Sequence, residues 1–229
     1  MRTIDKITYD SEEGRDIGKK LKVYALSTCG FCKRALNYLR DNGVGFQYVY
    51  VDYLQDFQRS EVKKELKDEF GERPLFPFLV IDDTDYLIGF DEEEWEEKLE
   101  LSGKTGKTAV EEAAGKIPEE ELEDAWKFAR MVSEHQGWKL NSDEQFLRYL
   151  IEGLHTNKER FGYFLCPCRL GSGDPEKDRD ITCPCEYARP DIEEYGHCYC
   201  SLYLSPDFYE SGEKPASIPE RRPEKKQDD

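Results

Sequence analysis

No stretch of this 229-residue chain approaches the roughly 18 consecutive apolar residues of a membrane span. The first residues, MRTIDKITYDSEEG, lack the apolar core of a secretory signal. Both absences read as a cytoplasmic protein with no membrane partner. Positive charge is also in deficit: 33 Lys and Arg face 50 Asp and Glu, a formal net charge of −17. Nucleic acid, whose phosphates such a chain repels, is therefore not an expected partner. A phosphate loop is missing too. Gly-Lys-Thr occurs at 103–105 and 106–108, but with no strand before it and without the G-x-x-x-x-G-K-[ST] spacing. What is left is a heavily solvated chain, 36 % charged, whose 13 % aromatic residues can fill a core. Its length suits one large or two ordinary domains.

Cysteine is what the chain has, eight in close pairs. In the cytosol thiols stay reduced, so such pairs suggest metal binding or redox catalysis rather than structural bridges. Residues 161–205 hold six of the eight as three Cys-x-Cys units: Cys166/Cys168, Cys183/Cys185 and Cys198/Cys200. A Cys-x-Cys pair does not easily close on itself, because a disulfide wants its Cα atoms about 5.5 Å apart with matched Cβ vectors. Three units in one loop-rich stretch therefore point to a shared metal centre, with any disulfide running between units. Four thiolates suffice for tetrahedral zinc or a four-iron cluster, which leaves two over. Spacing does not choose which four.

The sequence CPCR, then CPC, then a last Cys-x-Cys followed by Leu-Tyr-Leu and Ser-Pro-Asp resembles the catalytic subunit of ferredoxin:thioredoxin reductase. The likeness begins upstream at LIEGL and NKERFGYFLCPC and covers roughly 116–210. It implies that Cys166, Cys183, Cys185 and Cys198 ligate a [4Fe–4S] cluster, that Cys168 and Cys200 form the active-site disulfide, and that a ferredoxin is the electron donor. In the family the counterpart of Cys168 attacks the partner's disulfide, and that of Cys200 lies against the cluster. The histidine usual between the last two cysteines is Tyr199 here, and His197 precedes the ligand instead. His197 is read either as the proton donor and acceptor or as a neutral hydrogen-bonding group; His135 and His155 are read as structural. Arg169 either lowers the Cys168 thiol pKa or is a solvent-exposed arginine. Lys158, Arg160, Arg169, Lys177, Arg179 and Arg189 form either a basic patch for an acidic donor or scattered solvated charges.

Upstream, LKVYAL suits a buried strand and leads into Cys29-Gly30-Phe31-Cys32. Ala35, Leu36 and Leu39 then repeat at helical spacing until Asn42-Gly43. FQYVYVD is a second strand; Val62, Leu66 and Phe70 form a helical stripe; FLVI and YLIGF flank a DDTD turn; Asp91 caps a last helix with an acidic first turn. This order is that of the thioredoxin fold, and with Cys29, Cys32, Phe76-Pro77 (expected cis) and Gly89 the segment resembles a glutaredoxin. Cys29, at a helix N-terminus and near Lys33 and Arg34, is the expected attacking sulfur and Cys32 the resolving one. Leu26 and Phe90 stand where the family often has a glutathione-holding lysine and a second glycine. A protein or other small disulfide is therefore the expected substrate.

The fold class expected is an α/β thioredoxin-fold (glutaredoxin-like) domain over 1–100, a linker over 101–117, a mainly α-helical iron–sulfur domain over 118–210 and a mobile tail over 211–229. In the second domain Pro118 is predicted to open a helix with Leu122, Ala125, Trp126, Ala129 and Val132 inward. A capping box at Ser142–Gln145 introduces another, with a short further turn at 157–161. The function read from this is a ferredoxin-dependent disulfide reductase that passes electrons from cluster to Cys168–Cys200, then to Cys29–Cys32, then to a thioredoxin-like or other disulfide. The alternatives are a glutaredoxin joined to a zinc-stabilised binding module, and an iron–sulfur carrier without disulfide chemistry.

Overall fold

The computed structural model describes residues 2–101 and 117–224, so the expected linker lies outside the described residues except at its two ends. The chain divides into two compact units: Met1–Ser27 with Phe31–Ala113, and Thr28–Gly30 with Ala114–Asp229.

In the first unit, β1 (Asp10–Glu12), β2 (Leu21–Ala25), β3 (Phe46–Tyr50), β4 (Phe78–Ile81) and β5 (Asp85–Ile88) form one sheet in the order β1-β3-β2-β4-β5. β2 and β3 are parallel, joined through α1 (Gly30–Asp41), and the other pairings are antiparallel. β2 is central, pairing Val23 with Tyr48 on one side and Leu79 on the other, and its Val23 and Ala25 are fully buried. Asp82 and Asp83 adopt φ of 52° and 58°, the left-handed pair that a tight hairpin turn needs. α2 (Asp56–Phe70) stops at Gly71, and α3 (Glu92–Leu99) is capped by the Asp91 carboxylate, which accepts the Glu94 N–H at 3.0 Å. The Phe76–Pro77 bond is cis. This is the thioredoxin-fold order expected from the sequence. The residues before 21, read only as a polar lead-in, add the edge strand β1, whose short polar run carries no hydrophobic period to announce it.

The second unit is mainly helical: α4 (Glu123–Gln136), α5 (Glu144–Phe161), α6 (Ala188–Tyr195) and α7 (Pro206–Ser211), with a two-residue ladder of β6 (Lys139–Leu140) and β7 (Tyr203–Leu204). α4 starts at Glu123 rather than Pro118; before it the Leu122 N–H closes a turn on Glu119 O. The cap of α5 is Asp143, not Ser142, its carboxylate accepting the Phe146 N–H at 2.9 Å. α5 also runs unbroken through 157–161, presenting Phe146, Leu147, Leu150, Ile151 and Leu154 to the core. The segment expected to be a mobile tail is, over 211–224, partly built in. Glu220 reaches Arg169 in an ion pair whose side chains are 1 % and 2 % exposed, and Arg222 reaches Asp180 at 2.9 Å, both buried.

Candidate metal centre and thiol pairs

Three loops of the second unit bring the Cys-x-Cys units together. The first follows α5 and is tied to the second by paired backbone bonds: the Cys166 N–H donates to Ile181 O and the Cys183 N–H to Phe164 O, each at 2.9 Å. The third is held by β7, where the Cys198 N–H donates to Tyr203 O at 2.9 Å and the Tyr203 N–H points at Cys198 Sγ at 3.4 Å. Asp178, fully buried, shapes the loop between the first two units by accepting the Ser172 and Gly173 N–H groups and the Tyr163 hydroxyl. All six cysteines are buried.

Their mutual effects show how tightly they are grouped. Hydrogen bonds from the Cys185 and Cys200 thiols hold Cys166 well below the usual thiol range. Hydrogen bonding to Cys166, followed by burial, pushes Cys185 well up, and burial does the same to Cys183. Cys200 also leans on Cys166 and stands 3.8 Å from Cys198 Sγ, which places it against two of the implied ligands. Cys183 Sγ lies 3.7 Å from the Tyr203 hydroxyl. Among the described residues, no three His, Cys, Asp or Glu side chains form a group that could hold a single metal ion. The donor set nonetheless fits an iron–sulfur cluster on its chemistry: sulfur alone, buried, with a backbone N–H and a guanidinium aimed at it.

That guanidinium is Arg169, which is not the solvent-exposed arginine of one expectation. It is 3 % exposed, and its Nη1 donates to Cys185 Sγ at 3.0 Å, with Cys166 Sγ at 3.9 Å. Arg169 therefore leaves the proposed basic patch and serves the sulfurs of Cys185 and Cys166. The patch is thinned further because Lys158 pairs with Asp124 at 2.9 Å. His197 is buried, with Nδ1 3.0 Å from Cys198 O and 3.1 Å from Ser201 Oγ, and its ring packs edge-on to Phe208. Burial lowers its pKa, and the bonds its ring makes are to oxygen, not sulfur. Tyr199 lies under the Arg169 guanidinium, Cζ 4.2 Å from the ring centre, and burial pushes its hydroxyl pKa well up.

The remaining pair belongs to the strand–helix turn before α1. Cys29 directly precedes the first residue of α1 and so sits at the positive end of that helix dipole. Cys32 Sγ accepts the Leu26 N–H at 3.3 Å. Asp52, which no motif had singled out, accepts the Ser27 N–H at 2.8 Å and its hydroxyl at 2.5 Å, and so fixes the entry to the turn. Thr28–Gly30 groups with the second unit. There the Thr28 hydroxyl donates to Pro167 O at 2.7 Å, and the Sγ atoms of Cys29 and Cys168 stand 2.8 Å apart. Gly153 makes room for this: a Cβ there would fall 2.3 Å from Thr28 O and 2.9 Å from Pro167 Cβ.

Residues 116–222 match the family model described as ferredoxin thioredoxin reductase catalytic beta chain, and residues 21–85 match the glutaredoxin model. The ferredoxin-thioredoxin reductase catalytic chain of Porphyra purpurea is 34 % identical over 89 residues, 38 % of this chain and 71 % of the relative. That of Pyropia yezoensis is 34 % identical over 91 residues, 38 % of this chain and 74 % of the relative. Among solved structures, the glutaredoxin of Methanosarcina mazei Go1 is 36 % identical, covering 41 % of this chain and 88 % of its own, with a TM-score of 0.36.

Proposed function

Because the chain belongs to the family of ferredoxin-thioredoxin reductase catalytic chains, we propose that it is a ferredoxin-dependent disulfide reductase whose own glutaredoxin segment is its first acceptor. Cys166, Cys183, Cys185 and Cys198 hold a [4Fe–4S] cluster, which when bound supplies electrons singly from the ferredoxin. Cys168 and Cys200 are the disulfide that takes up two of them and becomes two thiols. The Cys168 thiolate then attacks Cys29 Sγ of an oxidised Cys29–Cys32 pair; the Cys29–Cys32 bond breaks, Cys32 leaves as thiolate, and a Cys168–Cys29 bond forms. Cys200 attacks Cys168 Sγ in turn, restoring Cys168–Cys200 and releasing Cys29 as thiolate. Two electrons have moved, and Cys29 with Cys32 can reduce an external thioredoxin-like or small disulfide by the same exchange.

The observation that carries this reading is the 2.8 Å approach of Cys29 Sγ and Cys168 Sγ. The two sulfurs expected to attack and be attacked stand next to each other. An iron–sulfur carrier without thiol chemistry has no use for that contact. The driving force is adequate: from about −400 mV for a plant-type ferredoxin to about −200 to −270 mV for glutaredoxins and thioredoxin, two electrons release about 6–9 kcal/mol. Cys29→Ser is the test. The variant should keep the iron and acid-labile sulfide of the wild type and lose reduction of the external disulfide. Full retained turnover on that disulfide would disprove the relay.

A further inference from the structure

Arg169 is immobilised on every side. Its Nε and Nη2 form a fork on the Glu220 carboxylate, at 2.9 Å to Oε2 and 2.6 Å to Oε1. Its faces lie against Tyr199 and Tyr187, with Cζ 4.2 and 5.0 Å from the ring centres. The one edge left, Nη1, points at Cys185 Sγ. Glu220 is in turn pinned: its Oε1 accepts the Arg222 N–H at 2.8 Å, and the Arg222 side chain bonds Asp180 and Lys177 O. An always-charged planar fork is thus held with its carboxylate partner away from the sulfurs and its positive edge toward them.

We propose that Arg169 is a positioning residue for the metal centre, held by Glu220 of the C-terminal segment so that its N–H donates to the ligand sulfur of Cys185, and that the pair raises the centre's reduction potential. The inference rests on the proposed function in taking Cys185 and Cys166 as ligands. Its physical basis is general. Hydrogen bonds to cluster sulfurs and nearby charge are among the terms that set the potential, and a positive edge favours the state carrying one more electron. Burial keeps water from screening it. The Arg169–Glu220 pair is formally neutral, so the effect comes from its orientation rather than from net charge.

The orientation can therefore be removed without changing the local charge. In the full chain, Arg169→Met with Glu220→Met takes away both ions, a replacement that buried pairs often tolerate. Arg169→Lys keeps the charge and loses the fork. Anaerobic redox titration followed by absorbance and electron paramagnetic resonance reads the midpoint potential directly. The double variant should bind wild-type amounts of iron and sulfide, and its one-electron reduction constant should fall at least tenfold, about 59 mV. Arg169→Lys should fall between it and the wild type. Unchanged midpoints in both variants would overturn the proposal. If the double variant does not fold, the Lys variant decides, and a midpoint equal to wild type overturns it. Wild-type protein carrying zinc and no iron would sink this inference together with the proposed function. Iron and sulfide present with an unmoved potential would sink this inference alone.

Discussion

A buried arginine needs a carboxylate, and Arg169 finds its partner 51 positions downstream, in a stretch whose composition is that of a solvated tail. Removing one member of such a pair leaves a charge stranded in the interior, so side chains of this kind are fixed by their partners more than by their neighbours in sequence. Burial acts on neutral groups as well. The Tyr9 hydroxyl donates to Ile4 O at 2.9 Å and pairs with the Tyr24 hydroxyl at 2.8 Å. Burial pushes Tyr9 up to about 12 and Tyr24 higher still. A tyrosine whose folded pKa is raised keeps its proton when the unfolded chain has lost it. Its contribution to stability is therefore complete below pH 10 and is lost as pH rises from about 10 to 12. Urea midpoints measured across that range should fall with pH, and Tyr9→Phe should flatten the fall; equal slopes in the two proteins would contradict this. At this scale the sequence showed which residues were cysteines in productive spacing, since spacing is local. It did not show where Arg169 or Asp52 would point, because each is set by contacts with residues far away in sequence.

Elements were legible where hydrophobic period and end signals coincide. α5 has both, an Asp143 cap and an inward stripe from Phe146 to Leu154, and β4 with β5 has a turn rich in aspartate between two apolar runs. β1 is three polar residues and α6 is short, while α7 has end signals, Ser205 before its first residue Pro206 and Gly212 after it, but is only six residues long. The C-terminal segment was the largest misreading, and its cause is energetic. Two of its charges, Glu220 and Arg222, which composition assigns to water, are matched by buried groups at Arg169 and Asp180. Arg222→Ala leaves the Asp180 carboxylate buried without its arginine and should cost the second unit about 3–5 kcal/mol in urea unfolding. Arg222→Lys should cost less. A loss under about 1 kcal/mol for the alanine variant, the range of a surface pair, would mean that the segment is not part of the folded unit.

For the whole molecule, the proposed function sets an electron-number problem that a metal centre beside a thiol pair can solve. A donor that gives one electron must serve a disulfide that takes two, and the intermediate state must not escape as a free radical. The family relationship covers the six-cysteine segment, and the glutaredoxin match covers the other pair. Their joining in one chain raises the effective concentration of each for the other. No helix among the described residues is long and apolar enough to cross a membrane. Of the six basic residues around the cysteine loops, Arg169 is buried and Lys158 pairs with Asp124, while Arg160, Lys177, Arg179 and Arg189 are exposed. The account stands most directly on a count of electrons against thiols. Anaerobically purified, fully oxidised protein should be titrated with reduced ferredoxin while iron, sulfide and accessible thiols are assayed. Two electrons should appear as one pair of thiols, located by alkylation and mass spectrometry at Cys29 and Cys32, and Cys168→Ser should abolish their appearance. Thiols that form at Cys29 and Cys32 equally well in Cys168→Ser, or a protein that accepts electrons and yields no thiols, would contradict it.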